Sequence, residues 1–290
     1  METPILRAEN LTHTYGISTP FEKTAVDNVT LDIYSGDFIG VIGHTGSGKS
    51  TLIQHLNGLL KPTSGRIIAD GKDIFESKAS LRQLRFDVGL VFQYPEYQLF
   101  DETVRADIAY GPKNMGLSPE EVDERINEAI GYVGITPDLL DKSPFELSGG
   151  QKRRVAIAGI LAMRPKVLIL DEPTAGLDPK GREDMLSNIS RLHKERGLTV
   201  ILVSHSMEDV AKVCDRVVVM SGGTVAMEGT VSQVFSRGEE LRKMNLAVPQ
   251  ITLLAERLRK MGYPIPDDIY TTDRAFDVIS GLVKGTKNDN

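Results

Sequence analysis

Between residues 37 and 220, apolar runs of four or five residues bounded by turn residues alternate with helical patterns, which predicts parallel strands joined by crossover helices. Three runs stand out. Phe38-Ile39-Gly40-Val41-Ile42 leads into a glycine-rich loop, Val167-Leu168-Ile169-Leu170 leads into Asp171-Glu172, and Val200-Ile201-Leu202-Val203 leads into Ser204-His205. Each delivers polar residues at its carboxyl end, where open α/β sheets place their ligands. The first thirty-five residues differ. Ile5 to Leu11 and Val29 to Ile33 alternate apolar with polar positions, as antiparallel strands with one solvated face do, and Gly16 to Lys23 reads as a surface loop between them. The expected class is α/β, a mostly parallel sheet with helices on both faces and an N-terminal antiparallel β unit.

The pattern turns helical over about residues 94–160. Ser118-Pro119-Glu120-Glu121 supplies an N-cap, a first-turn proline and acids at the positive helix end, and Val122, Ile126, Ile130 and Val133 follow at helical spacing. A second change comes after residue 237. Two amphipathic helices are expected there, one with Ile251, Leu254, Leu258 and Met261 on a face, the other with Ala275, Phe276, Ile279, Leu282 and Val283. These stripes read as packing faces, and Lys284 to Asn290 as a frayed polar tail. The expected organisation is a main unit over 1–237 and a helical appendage over 238–290.

Composition narrows the class. A chain of 290 residues with one cysteine, Cys214, forms no intramolecular disulfide, and that cysteine reads as a small buried hydrophobe. The net charge of −6 argues against a general polyanion binder, so no nucleic-acid partner is expected. The opening METPILRAENLTHTYG lacks a basic segment followed by an apolar one, and no apolar run approaches the roughly 20 residues that span a bilayer. Any membrane role is expected to pass through a partner.

Gly43-His44-Thr45-Gly46-Ser47-Gly48-Lys49-Ser50 fits G-x-x-x-x-G-K-[ST], between a strand and a helix expected over Thr51 to Leu60. Backbone N–H groups of such a loop wrap phosphates. Lys49 reaches the β and γ phosphates, and the Ser50 hydroxyl is placed to ligate Mg²⁺ at a helix N-terminus. Asp171 emerges from a buried strand beside this loop as a second Mg²⁺ ligand, and Glu172 follows as the group that orients or deprotonates the attacking water. A second helix start, Ser148-Gly149-Gly150-Gln151, exposes backbone N–H groups to an anion.

With Leu147-Ser148-Gly149-Gly150-Gln151 the sequence resembles the nucleotide-binding subunits of ATP-binding-cassette (ABC) transporters. The phosphate loop, Gln93, LSGGQ, Asp171-Glu172, Ala175-Gly176-Leu177-Asp178 and His205 occur in that family's order over about residues 4–235, with glycine at 176 in place of the more usual small residue. The resemblance implies a head-to-tail dimer. Ser148, Gly149, Gly150 and Gln151 of one chain would close on the γ-phosphate held by residues 43–51 of the other. Gln93 would contact Mg²⁺ or the lytic water, His205 would contact the γ-phosphate and fix Glu172, and Asp178 would signal across the interface. Tyr15 would stack on adenine. His44 is a variable loop position, and His13, His55 and His193 read as polar surface or satisfied, partly buried groups.

A narrower resemblance concerns cargo. Phe92-Gln93-Tyr94-Pro95-Glu96-Tyr97-Gln98-Leu99-Phe100, Asp107-Ile108-Ala109-Tyr110-Gly111-Pro112 and Asn114-Met115-Gly116-Leu117 are similar to the energy-coupling factor (ECF) ATPases of prokaryotes, as is Pro249 to Gly262. Thr19-Pro20-Phe21-Glu22 is similar to the second of their two paralogous ATPases. That implies ATP with Mg²⁺, a heterodimer with a sister ATPase, a transmembrane T subunit docking beside Gln93 to Phe100, exchangeable substrate-capture S subunits, and a peripheral place on the cytoplasmic face of the cell membrane. Uptake of a vitamin or transition-metal ion is the function implied. A conventional ABC importer is the nearest alternative. A non-transport ABC ATPase acting on nucleic acid is disfavoured, because the chain shows no zinc cysteines, coiled-coil insertion or second cassette.

Overall fold

The computed structural model describes the backbone of residues 3–288 and the side chains of residues 3–282. β1 (Leu6–Tyr15) and β2 (Lys23–Ile33) open the chain, and β3 (Phe38–Ile42) runs through the glycine loop into α1 (Lys49–Leu56). β4 (Ser64–Ala69), β5 (Lys72–Asp73), α2 (Lys78–Asp87) and β6 (Val88–Val91) follow. Next come α3 (Val104–Asn114), α4 (Pro119–Val133) and α5 (Gly149–Leu161), then β7 (Val167–Asp171), α6 (Pro179–Arg196), β8 (Thr199–Val203) and α7 (Met207–Val213). β9 (Arg216–Ser221) and β10 (Thr224–Thr230) lead to α8 (Val231–Phe235), α9 (Gly238–Lys243), α10 (Gln250–Lys260) and α11 (Thr272–Asn288).

Six strands form one sheet in the order β10-β9-β3-β8-β7-β6, parallel except for β10, and β2-β1-β4-β5 form an antiparallel sheet. Apart from Asp171, Thr199, Arg216 and Ser221 at strand ends, the parallel strands are apolar because both faces are covered. Ile42, Leu168, Leu170, Val200 and Leu202 face a core shared with α3 to α6, whereas Val41, Val167, Ile169, Ile201 and Val203 face α1 and the antiparallel sheet. Register places the ends of these strands together, with Val41 opposite Val203, Asp171 opposite Val203 and Val91 opposite Leu170. One sheet edge therefore carries the residues that follow β3, β6, β7 and β8.

Several local expectations are met in detail. Ser118 and Glu121 form a reciprocal capping box at α4, whose Val122, Ile126, Ile130 and Val133 are all buried. Cys214 is buried, and burial raises its thiol pKa well above the ordinary value. Others are corrected. The helix expected over Thr51 to Leu60 spans Lys49–Leu56, because Asn57 caps it and Gly58 turns the chain at a φ of +70°. A side chain at Gly58 would also meet Leu81 Cδ1 at 2.5 Å. His55, read as at most partly buried, is fully enclosed, with Nδ1 donating to Thr51 O at 2.7 Å.

At the C-terminal end Ala255, Ile265, Ile269 and Ala275 form a small core, onto which Ile251, Leu258, Ile279 and Leu282 pack. Three members of the expected stripes stand outside it, Leu254 of α10 being exposed as well. Met261 lies past the last turn of α10 and Phe276 faces outward, both exposed. The Val283 side chain lies outside the described residues. The backbone of α11 continues to Asn288, where polar composition leads to an expectation of fraying.

Candidate functional site: a phosphate loop facing two carboxylates

The loop after β3 keeps its shape through glycine. A Cβ at Gly48 would meet Ala25 O at 2.3 Å, and Gly48 holds a φ of +102°, so neither the space nor the conformation admits another residue without strain. The loop folds around Lys49, which is 6% exposed and whose Nζ donates to Gly43 O at 2.7 Å and His44 O at 3.2 Å. Burial lowers the Lys49 pKa, and the charges of Glu172 and Asp171 partly restore it. Ser47 is fully buried with its Oγ unpaired, while His44 is peripheral and donates only to Thr45 O. Gly46 is open to solvent, with nothing within 4 Å of a Cβ built there. Thr51, in the first turn of α1, holds the hydroxyl of Tyr15 at 3.2 Å, and the His13 ring stands edge-on behind Tyr15 at 4.4 Å.

Asp171 ends β7 with its carboxyl against the Ser50 hydroxyl. Burial raises its pKa, with Lys49 and Ser50 opposing. Glu172 sits just beyond, at a φ of +50°, a conformation that costs a non-glycine residue energy and is held by Glu172 N donating to Val203 O at 3.0 Å. Its carboxylate is 15% exposed and Oε1 has no hydrogen bond, the nearest base being His205 Nε2 at 3.6 Å. Burial first, then the Asp171 charge, push the Glu172 pKa up to about 7, against the pull of Lys49 and the His205 backbone N–H. Burial and then Lys49 lower the His205 pKa, which keeps its imidazole neutral near neutral pH. The arrangement can hold polyphosphate on one side and take up a proton on the other.

A stability signature follows. A carboxyl whose folded pKa lies above its ordinary value of 4.5 costs nothing while both states are protonated, and destabilises the fold increasingly as pH rises through about 7. In nucleotide-free protein, Glu172→Gln is therefore expected to raise Tm relative to the parent more at pH 8 than at pH 5. Differential scanning calorimetry at both values checks this, and a gap that is constant or larger at pH 5 contradicts it.

Lys49, Ser50, Asp171, Glu172 and His205 are thus brought together, with Tyr15 held against Thr51, the next residue of α1. Gln93 lies exposed just after β6 on that sheet edge. The remaining candidates are engaged locally. Ser148 and Gln151 cap α5 reciprocally, Gly149 and Gly150 lie on the surface, and Asp178 caps α6 by accepting from Gly181 N at 2.7 Å.

Sequence reasoning passed over two buried groups that organise the site. Arg153 of α5, 4% exposed, pairs bidentately with Glu96 and also donates to Pro173 O and Ala175 O. Asp209 of α7 accepts from Thr174 Oγ1 and from Arg182. Neither carries a local sequence signal, because their partners lie 20 to 57 residues away.

The ABC transporter family matches residues 26–175. "Energy-coupling factor transporter ATP-binding protein EcfA2" of Clostridium perfringens is 56% identical, covering 96% of this chain and 98% of that protein. The protein of that name from Clostridium tetani is 59% identical over 93% of this chain and 94% of its own length. Among solved structures, cbiO1 from Clostridium perfringens, described as part of the ABC transporter complex cbiONQ, is 43% identical with a TM-score of 0.74, covering 88% of this chain and all of that one. A dimeric ATP-binding cassette in a post-hydrolysis state with ADP and Pi is 30% identical with a TM-score of 0.70, covering 78% of this chain and 98% of that one. The chain belongs to the ABC transporter family, as an ATPase cassette of the kind found in energy-coupling factor transporters.

Proposed function

We propose that this chain is the ATP-hydrolysing subunit of an ECF importer that takes up a vitamin or a transition-metal ion. The observation that carries the reading is one sheet edge presenting a phosphate loop, two carboxylates and a neutral histidine within reach of one another. The loop over residues 43–51 binds the phosphates through backbone N–H groups and Lys49. Tyr15, 42% exposed with its hydroxyl anchored, offers a flat face to adenine. Ser50 and Asp171 place two hard oxygens side by side, which suits Mg²⁺ because that ion fills its remaining positions with water and phosphate oxygens. Gln93 is assigned beside them. Bound with ATP, Mg²⁺ supplies neutralisation of phosphate charge. Glu172 accepts a proton from the attacking water, and His205 fixes that carboxylate against the γ-phosphate.

The rest of the reading concerns a second chain. Gly149 and Gly150 have no positive φ and nothing within 4 Å of where a Cβ would stand, so nothing inside this chain requires glycine there. A surface that must close tightly on another molecule's phosphate does require it, and Ser148 to Gln151 are assigned to the site of a sister ATPase, with Asp178 at the same interface. Residues 238–290 are assigned to pairing of the two ATPases. The T subunit is assigned to a groove of about 310 Å³ between Leu99, Phe100, Tyr110 and Met163. Phe100 and Tyr110 are exposed there, and Asp107 Oδ2 is buried without a partner, an arrangement that accepts an apolar helix carrying a donor. Among the described residues no helix is long and apolar enough to cross a membrane, which supports peripheral attachment at the cytoplasmic face through these partners.

Purification of the tagged chain from its native membranes in mild detergent, followed by mass spectrometry, tests the assembly. A second cassette ATPase, one multispanning subunit and one or more small hydrophobic proteins are the expected companions. A pair of identical cassettes with a conventional permease and binding protein replaces the reading with an ordinary importer. Recovery of nucleic acid or ribosomes alone removes transport from it.

A further inference from the structure

The guanidinium of Arg153 is a junction of three segments that are distant in sequence. It leaves α5 one turn after the Ser148 cap. Nε donates to Glu96 Oε2 at 3.1 Å and Nη2 to Glu96 Oε1 at 3.0 Å, which ties α5 to the single 3-10 turn Pro95–Gln98. The same turn carries Tyr97 and leads straight into Leu99 and Phe100 of the apolar groove. On its other side, Nη1 donates to Ala175 O at 2.6 Å and Pro173 O at 3.3 Å. Those carbonyls belong to the turn that begins at Glu172 and closes by Ala175 N donating to Glu172 O at 3.1 Å. The Tyr94 ring lies 5.9 Å from the guanidinium carbon and covers it.

A buried ion pair is poor evidence for stability, since desolvating both charges offsets most of their attraction. What the planar fork does uniquely is geometric, because five donors in fixed directions fix the relative placement of everything that accepts from them. The turn is held besides by Thr174 Oγ1 on Asp209 at 3.1 Å and by Glu172 N on Val203 O at 3.0 Å. Glu172 has no hydrogen bond at Oε1 and a left-handed backbone, so besides the His205 backbone N–H its carboxylate direction depends on this clamped turn.

We propose that Arg153, locked by Glu96, is the positioning residue for Glu172, so that the turn lining the groove and the turn carrying the base shift as one piece. Displacement of Pro95–Gln98 by the T subunit assigned to the groove then reorients the Glu172 carboxylate through a single rigid side chain. This rests on the assignment of Glu172 as the base and of the groove as the docking site.

The test uses the intact complex purified from membranes, with Glu96→Gln, Arg153→Gln and the double variant, and Glu172→Gln as reference. Glu96→Gln keeps the shape of the turn and removes only the charge that locks the fork. Rates are normalised to nucleotide bound, so that a loss of folded protein does not enter. The expected result is a fall in kcat of about tenfold for either single variant with KM for ATP within about twofold, and a double variant no slower than the singles, because all three break the same link. Arg153→Lys is expected not to rescue, since one ammonium cannot serve Glu96 and two carbonyls together. An unchanged kcat in Glu96→Gln, a loss confined to KM, or losses that multiply in the double variant overturn the link while leaving Glu172 as the base if Glu172→Gln is inactive. Full turnover in Glu172→Gln overturns the assignment beneath it as well.

Discussion

Glu172→Gln is expected to lower kcat for ATP hydrolysis by about 10² to 10⁴, the range that a positioned general base contributes, while the Kd for ATP stays within about twofold or tightens. The substitution keeps the side chain's size and leaves Lys49, Ser50 and Asp171 in place. It removes a negative charge that stands beside Asp171, and so removes a group that repels phosphate. The split between an almost intact Kd and a collapsed kcat follows from the proposed role of the carboxylate as proton acceptor, since Lys49 and not Glu172 bonds the loop carbonyls. Binding without hydrolysis should also accumulate ATP-bound cassette pairs, visible as a shift in mass by light scattering when ATP is added. Single-turnover kinetics with radiolabelled ATP measure the chemical step directly. A variant that hydrolyses at the parent rate leaves the proton acceptor to another group, such as His205, whose Nε2 lies 3.6 Å from Glu172.

The strands of the central sheet are readable from sequence because a parallel strand buried on both faces is apolar over nearly its whole length, as β3, β7 up to Leu170 and β8 after Thr199 are. Their register is not written in any one of them, yet its consequence is, since each apolar run gives way to residues of another kind: Gly43 and its loop, Asp171-Glu172, and Ser204-His205. What periodicity misjudged is where neighbours intervene. The pattern of α1 runs on to Leu60, but Gly58 faces Leu81 and Leu84 and the helix stops short of it. Phe276 fits its stripe and still faces outward, because the core of that region is small and Ala275 already fills the contact. Arg153 looks like one of three basic residues at a helix start. Its meaning lies in Glu96 and Ala175, which no local window contains. Ser148 to Gln151 stand at the other limit, since their motif is plain in the sequence while this chain alone gives them no more than a helix cap.

Lys49→Ala is expected to act on the opposite quantity, raising the Kd for ATP by about 10² or more. A charge-assisted hydrogen bond contributes about 1.5 to 3 kcal/mol, and each 1.4 kcal/mol is a factor of ten, so the loss of one or two such bonds to the β and γ phosphates reaches that range. Two further effects act in the same direction. The ammonium organises the loop itself through Gly43 O and His44 O, and without it those carbonyls lose their donor. It also opposes the rise in pKa of both Asp171 and Glu172, so its removal leaves two carboxyls with no cation nearby to favour the charged state, facing an incoming polyanion. Thermal denaturation with and without saturating ATP separates binding from folding. The parent should gain stability as RT ln(1 + [ATP]/Kd), and a hundredfold weaker Kd lowers that gain by about 2.7 kcal/mol at high ATP, while the nucleotide-free Tm moves much less. Lys49→Arg is expected to resemble Lys49→Ala, because the space between the Gly43 and His44 carbonyls holds a compact ammonium at 2.7 and 3.2 Å and a planar guanidinium is too broad for it. An undiminished ATP-dependent shift in Lys49→Ala means that the glycine loop grips phosphate through its backbone alone. Paired with Glu172→Gln, the two variants divide the site into a part that holds the nucleotide and a part that uses it.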